Sequence, residues 1–451
     1  MSVAAIALST LLDRGLLDYY AYNGGEAYRT YTQAAAAYPT AAMAYWGEAL
    51  ALGPNINEPL TRDDFERAQS AIAKAVALAA TSSQRDRDLI DALSKRFAGG
   101  WDRRLRDDLD YRSAMAALVE KYPSDDTVAM LHAEAIADGN GDWSKVAALA
   151  AAVLARDPQH PMANHLCVHA YDDAADRSPA IACAKRLDAM TFEPAQEHLA
   201  HMPAHTWIET GAYAAAMASS ERGYALIQRY ADLPDADLTH ERYAGHDVGL
   251  GFTAAMFLGN YARALRWEAR GAQGASPAQV MVRFGRWTDI LAATDATDTA
   301  LPVAKVLAHA HVGDFDLAEA AFDRLTRAQK DSSLGVLAQS RLWEHVGRVP
   351  DAIKALRGLA KQQFENYGAE YLPPIPAIEA LAALELRSGT LEDAIAAYRE
   401  TLARYPNDPR ALYGLGIALE KAGRSDESAT MMVRYLHQWD GADTTLSPDD
   451  L

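Results

Sequence analysis

Apolar and polar residues follow one another along this chain with the period of an α-helix, in segments of roughly a dozen residues. Gly, Pro, Asp or Asn punctuates the segments. The strict apolar/polar alternation of β-branched residues that marks a half-buried strand is scarce, so nearly every segment reads as helix. The segments also repeat. Gly313-Asp-Phe-Asp-Leu-Ala318 recurs as Gly347-Arg-Val-Pro-Asp-Ala352, and Gly389-Thr-Leu-Glu-Asp-Ala394 as Gly423-Arg-Ser-Asp-Glu-Ser428, each after 34 residues. Each unit therefore predicts a helical hairpin, in which a glycine makes the turn and an alanine five residues later lets the two backbones approach. Gly211 with Ala216, Gly259 with Ala264, Gly313 with Ala318, Gly347 with Ala352 and Gly389 with Ala394 share that offset. A proline then closes the second helix at Tyr38-Pro39, Tyr122-Pro123, Asp157-Pro158 and Tyr405-Pro406, because proline cannot continue a helix interior.

This pattern resembles the tetratricopeptide (TPR) repeat from about residue 24 to residue 436. The resemblance implies an all-α, right-handed α-solenoid whose first helices line a concave wall. The expected layout is one superhelix over 1–436: N-terminal repeats at 1–130, His-rich central repeats at 131–270, irregular repeats and a connector at 271–376, and C-terminal repeats at 377–436. Residues 437–451 read as a tail. Spacers are expected at Pro54–Thr61, Ala231–Gly245, Ala272–Ala300 and Phe364–Pro376, the last a stiff connector through Tyr371-Leu-Pro-Pro-Ile-Pro376.

Charge narrows the partners. The 451 residues hold 61 acidic against 43 basic side chains, a net charge of -18 that repels phosphate backbones, so nucleic acid is excluded as a partner. No stretch approaches 18 uninterrupted apolar residues, which excludes a spanning helix and, with it, a membrane partner. Cys167 and Cys183 are too few for a disulfide framework or a zinc ribbon. The apolar Ser2–Leu12 lacks a basic start and runs into helical pattern, which points to the cytoplasm, with the periplasm open if an export segment has been removed.

Candidate chemistry lies with histidine. Eight of the 13 fall between His160 and His246, under a fifth of the chain. If the turn glycine is position 15 and the closing proline position 32 of each unit, the concave side chains are positions 2, 5, 9, 12 and 13. His165, His169, Asp172 and Asp173 then face inward from one unit. His198, His201, His205 and Glu209 face inward from the next, and Glu134, Asp138 and His246 from the units on either side. A proline anchors one unit and a glycine the other, so the facing does not depend on the histidines. His165 and His169 share a helix face at i, i+4, and His198, His201 and His205 form a stripe on the neighbouring helix. Adjacent helices pack ~8–10 Å apart, a gap that imidazoles from both sides span to share a metal. Pro203, between His201 and His205, should bend that helix and aim the two rings. His309, His311, His345 and His437 read as structural, His132 and Cys167 as core, and His160 and His240 as helix-start residues.

Several strings resemble a little-characterised, mostly bacterial family of TPR proteins: Ala44-Tyr-Trp-Gly47, Leu52-Gly-Pro-Asn55, Asp157-Pro-Gln-His-Pro161, Asn164-His-Leu-Cys-Val-His-Ala170 and His198-Leu-Ala-His-Met-Pro-Ala-His205. Arg283-Phe-Gly-Arg-Trp287 and Pro373-Pro374 also fit. The resemblance implies a shared site without naming a reaction. Where members of that family carry a Glu after the second histidine and an Asn after the later one, this chain has Asp172-Asp173 and His246-Asp247. The expectation is a metal-dependent enzyme acting on a small molecule in the groove. His165, His169, His201 and His205 are its core ligands, with His198 or His246 completing the set, and copper or iron is favoured over zinc where more than three imidazoles bind. Glu134 or Glu209 would orient a ligand or act as base, and Asp172, Asp173, Arg283 and Arg286 would meet substrate. The alternatives are a TPR scaffold gripping a protein or peptide and a metal storage or delivery protein. No phosphate-binding glycine loop, G-x-S-x-G or H-E-x-x-H motif is present.

Overall fold

The computed structural model describes residues 6–139, 141–172, 174–233, 242–272, 275–366, 373 and 375–447, and only the backbone of 242–247 and 366. Among these residues every regular element is a helix, apart from an isolated bridge between Asn55 and Glu58 in the expected spacer. Consecutive helices pack side by side as hairpins, the arrangement of an α-solenoid. The reason is visible at the repeat residues. Ala216, Ala264, Ala318, Ala352 and Ala394 are all fully buried, so a larger side chain at any of them would push two helices apart. Gly211, Gly259, Gly313 and Gly347 turn the chain with φ between 67° and 87°, a region costly for other residues. Gly389 is different: its φ is -106°, and it is crowding by the Glu385 carboxylate and backbone that keeps it small. The four Pro-closed helices end where expected, at Ala37, Lys121, Leu154 and Arg404.

The helices form two compact units, one of residues 1–203 and 221–244, the other of 204–220 and 245–451. In the first, one core runs from the tyrosines of the opening hairpin, Leu8–Tyr20 and Gly24–Ala37, through to Met162 and Leu166 of the helix Pro161–Ala170. In the second, the C-terminal repeats build their own core around Tyr398 and Leu415.

Four expectations change. Ala272–Ala300 is not a plain spacer: Pro277–Arg283 and Trp287–Ala292 form a short hairpin about Gly285, φ 61°, too brief to register as a 34-residue unit. The supposed tail is docked. His437 lies in the last turn of the helix Ser425–Gln438, the Asp443 carboxylate accepts the N–H groups of Tyr261 and Ala262 at 2.6 and 2.9 Å, and the Thr444 hydroxyl donates to the Gly259 carbonyl at 2.8 Å. Pro203 does more than bend its helix. One helix ends at His201 and another starts at Pro203, so His201 and His205 lie on separate elements. Finally, the two cysteines form a disulfide, Cα atoms 6.3 Å apart, between the helices Pro161–Ala170 and Ser178–Ala189. One staple needs only proximity, which a count of cysteines does not reveal.

Candidate metal centre

Three helices and one turn of the first unit assemble the site. The sequence Asp157-Pro-Gln-His-Pro161 starts the helix that carries two of the histidines. Pro161 sits in its first turn, and the His160 ring accepts the Ala163 N–H at 3.3 Å, the capping role expected of it. Asn164 fixes the entry further by donating to the carbonyls of Pro158 and His160, both at 3.0 Å, which gives the Asn of the Asn-His-x3-His string a structural purpose. The next turns bring His165 and His169 to one face, ring centroids 5.2 Å apart.

The third histidine arrives on the short helix Glu197–His201. Its approach is held from the opening hairpin: Asn23 donates to the Ala195 carbonyl at 3.1 Å, and Gln196 donates to the Asp18 carboxylate at 3.3 Å. The His198 ring centroid then lies 5.0 Å from that of His165. One ligand atom from each of His165, His169 and His198 falls within 4.8 Å of the other two, and all three residues are buried. A tetrahedral ion bound at ~2.0–2.1 Å holds its nitrogens ~3.3–3.4 Å apart, so the rings need close by little more than about an ångström.

Two of the rings are already oriented. His165 Nδ1 lies 3.3 Å from the Tyr20 carbonyl oxygen, and His169 Nδ1 lies 3.0 Å from Asp172 Oδ2. Each pairing is satisfied by an Nδ1–H donor, the tautomer that second partners impose on ligating histidines. Asp172 thus serves His169 from the end of the same helix.

Tyr22 links these parts and was not singled out from sequence. Its ring lies edge-on to His165 at 4.5 Å and stacks on His198 at 5.5 Å, while its hydroxyl donates to Glu134 Oε2 at 2.8 Å. Glu134, in the helix Asp126–Asp138, is buried, and that burial lifts its carboxyl to about 7 against the Tyr22 hydrogen bond, which lowers it. A carboxyl poised near neutrality beside three imidazoles can hold or release a proton at the operating pH. The only sequence sign of Glu134 was its inward position. Tyr22 gave none, since it belongs to a turn.

The His201 ring is buried and lies 5.8 Å from that of His198. His205 and Glu209 are buried in the helix Pro203–Glu209, within the second unit. Asp173 and His240 lie outside the described residues, as does the side chain of His246. Arg283 is buried, and its Nη1 donates to both carboxylate oxygens of Glu379, at 2.7 and 2.8 Å. Arg286 is exposed and pairs with Asp289 at 2.7 Å. Nothing in the sequence around Arg283 signals that its partner lies nearly a hundred residues downstream.

Comparison with known proteins agrees with the repeat reading. Residues 303–366 and 379–443 match the tetratricopeptide repeat family. A curated relative, the cellulose synthase operon protein C of Pseudomonas fluorescens (strain SBW25), is 33% identical over 93 residues, 20% of this chain and 7% of that protein's length. Similar solved structures include the human IFIT1 dimer with PPP-AAAA, at 13% identity and a TM-score of 0.32 over 97% of this chain and 95% of that one. The IFIT1 dimer with m7Gppp-AAAA gives 12% identity and the same TM-score and coverage. Among the described residues no helix is long and apolar enough to cross a membrane.

Proposed function

We propose that this TPR-repeat protein binds a transition metal through His165, His169 and His198, and that the bound ion supports a metal-dependent reaction on a small molecule. The observation that carries the reading is the conjunction at one buried point of three imidazoles, two of them with Nδ1 committed to a carbonyl and a carboxylate. Glu134, reached through Tyr22, is the group we assign to proton transfer beside the ion. The ion itself would supply Lewis acidity or a bound water of lowered pKa.

Three imidazoles with room for a further ligand form the donor set of a zinc site that keeps an open position. That shifts the choice from copper or iron towards zinc. A fourth imidazole from His201 would shift it back.

The test is elemental analysis of untagged protein, as purified and after reconstitution with zinc, copper and iron in turn. Near-stoichiometric metal that is lost in a His165→Ala, His198→Ala double variant supports the proposal. Metal below about a tenth of an equivalent with all three ions refutes it. The repeats at 303–366 and 379–443 favour the second reading, a scaffold for a protein or peptide, which would survive that refutation.

A further inference from the structure

The Cys167–Cys183 disulfide closes a loop of chain around part of the histidine cluster. His169 and Asp172 lie inside its 16-residue span, and His165 lies just outside it on the same helix, Pro161–Ala170. Both cysteines are buried, Cys183 on the helix Ser178–Ala189. Asp172 stands past the end of the ligand-bearing helix, its backbone N–H on the His169 carbonyl at 3.2 Å and its Oδ2 3.0 Å from His169 Nδ1. The S–S bond therefore bounds the segment that supplies one imidazole together with the group that orients it.

A polar tie runs beside the covalent one. Arg186, on the same helix as Cys183, places Nη1 3.7 Å from Cys183 Sγ and 3.4 Å from Asn164 Oδ1. Asn164 is the residue that fixes the start of Pro161–Ala170. Ser178–Ala189 thus grips the ligand-bearing helix at Asn164 and at Cys167, on either side of His165. The rest of its buried face is small: Ala180 and Ala184, with Leu187. Apolar burial stabilises in proportion to area, so the attachment rests heavily on these two ties, and opening the disulfide removes the stronger.

We propose that the Cys167–Cys183 disulfide is a redox switch on the metal centre: oxidised, it holds His169 and Asp172 in register with His165 and His198, and reduced by a dithiol, it frees that segment and lowers metal affinity. The inference rests on the metal reading above and assigns the regulation of that site. In the exchange, one thiolate of the dithiol bonds to a protein sulfur, and the other protein sulfur leaves with the electron pair of the broken S–S bond. The second thiolate of the reductant then closes its own disulfide and releases the first protein sulfur. Two electrons and two protons pass to the protein, and the dithiol becomes a disulfide. Linkage makes the effect reciprocal: whatever factor reduction takes from metal affinity, bound metal adds to the resistance of the disulfide to reduction.

The experiment measures zinc affinity of the full chain by competition with a chromophoric chelator, in the oxidised form, after reduction with a phosphine, and after reoxidation. Alkylation and mass measurement count the thiols in each. Reduction should weaken zinc binding at least tenfold, and reoxidation should restore it. Cys183→Ser should bind at the weaker level with or without reductant. Saturating zinc should lower the reduction potential of the disulfide by about 30 mV for each tenfold of affinity lost. Zinc held by the oxidised form and held as tightly, or more tightly, by the reduced form overturns the switch and leaves the metal reading standing. No zinc on the oxidised form overturns both. Loss of the helical circular dichroism signal on reduction also overturns the switch, because release would then be unfolding.

Discussion

Tyr22 carries backbone strain at the candidate site. Its φ of 56° is in the left-handed region, which costs a bulky residue roughly 1–2 kcal/mol. The turn bonds Tyr22 N–H to Tyr19 carbonyl, at 2.9 Å, and Asn23 N–H to Asp18 carbonyl, at 3.0 Å, hold it there. What the strain secures is the ring between His165 and His198 and the hydroxyl on Glu134. Tyr22→Phe keeps the ring and removes the hydroxyl, so it should destabilise by about 1–2 kcal/mol in urea unfolding at pH 8 while leaving metal stoichiometry unchanged. A loss of metal equal to that of a histidine variant would show that the hydroxyl is itself part of the ligand set. The inward histidines were legible because a helix repeats and a glycine or proline sets its phase. Tyr22 was not, because its turn has no period and its partners are distant in sequence.

A second residue nearby gives a pH dependence. Asp18 is buried, and burial raises its carboxyl from 3.8 to about 6, against the Gln196 hydrogen bond and the Arg14 charge. Above pH 6 the folded chain must keep this carboxylate ionised in a poor environment. As pH falls through 6 towards 3.8 the folded state takes up the proton before the unfolded state does, so stability rises. Asp18→Asn should therefore stabilise the protein at pH 8 by at most roughly 3 kcal/mol, and the gain should vanish near pH 4. A constant difference between variant and wild type across that range in urea unfolding would assign the effect to packing.

Hairpins were readable at the scale of elements wherever the repeat kept its length, and the glycine and alanine positions stand where the 34-residue spacing puts them. Legibility failed where an element is short or its partner is remote: the hairpin about Gly285, the break before Pro203, and Asp443 capping the helix Tyr261–Ala269. The disulfide has the largest consequence, since Cys167 lies between His165 and His169 and ties their helix to Ser178–Ala189. The sulfurs are 16 residues apart in sequence, and closing a loop of that size constrains the unfolded chain by roughly 3 kcal/mol. Cys167→Ser, Cys183→Ser should lower the melting temperature and quicken loss of bound metal to a chelator. If release is equally fast in both forms, the staple supports the fold and not the ligand geometry.

Over the whole molecule, a specific site must be distinguished from loose attraction of cations to an acidic chain, since a net charge of -18 gathers divalent ions wherever carboxylates crowd. Location separates the two. An ion held by His165, His169 and His198 stabilises only what binds it, by about 2.7 kcal/mol at a hundred times its Kd. Amide exchange should then slow in Asp126–Asp138, Pro161–Ala170 and Glu197–His201, the helices that supply Glu134 and the three rings. The TPR repeats at 303–366 and 379–443 carry no part of this cluster and should exchange at the same rate with or without zinc. His169→Ala removes one imidazole and its link to Asp172, and should abolish the slowing in all three helices together. Slowing that survives in this variant, or that instead follows acidic surface helices such as Phe315–Asp323, would mean that the ions are only neutralising charge and that the three imidazoles do not act as one ligand.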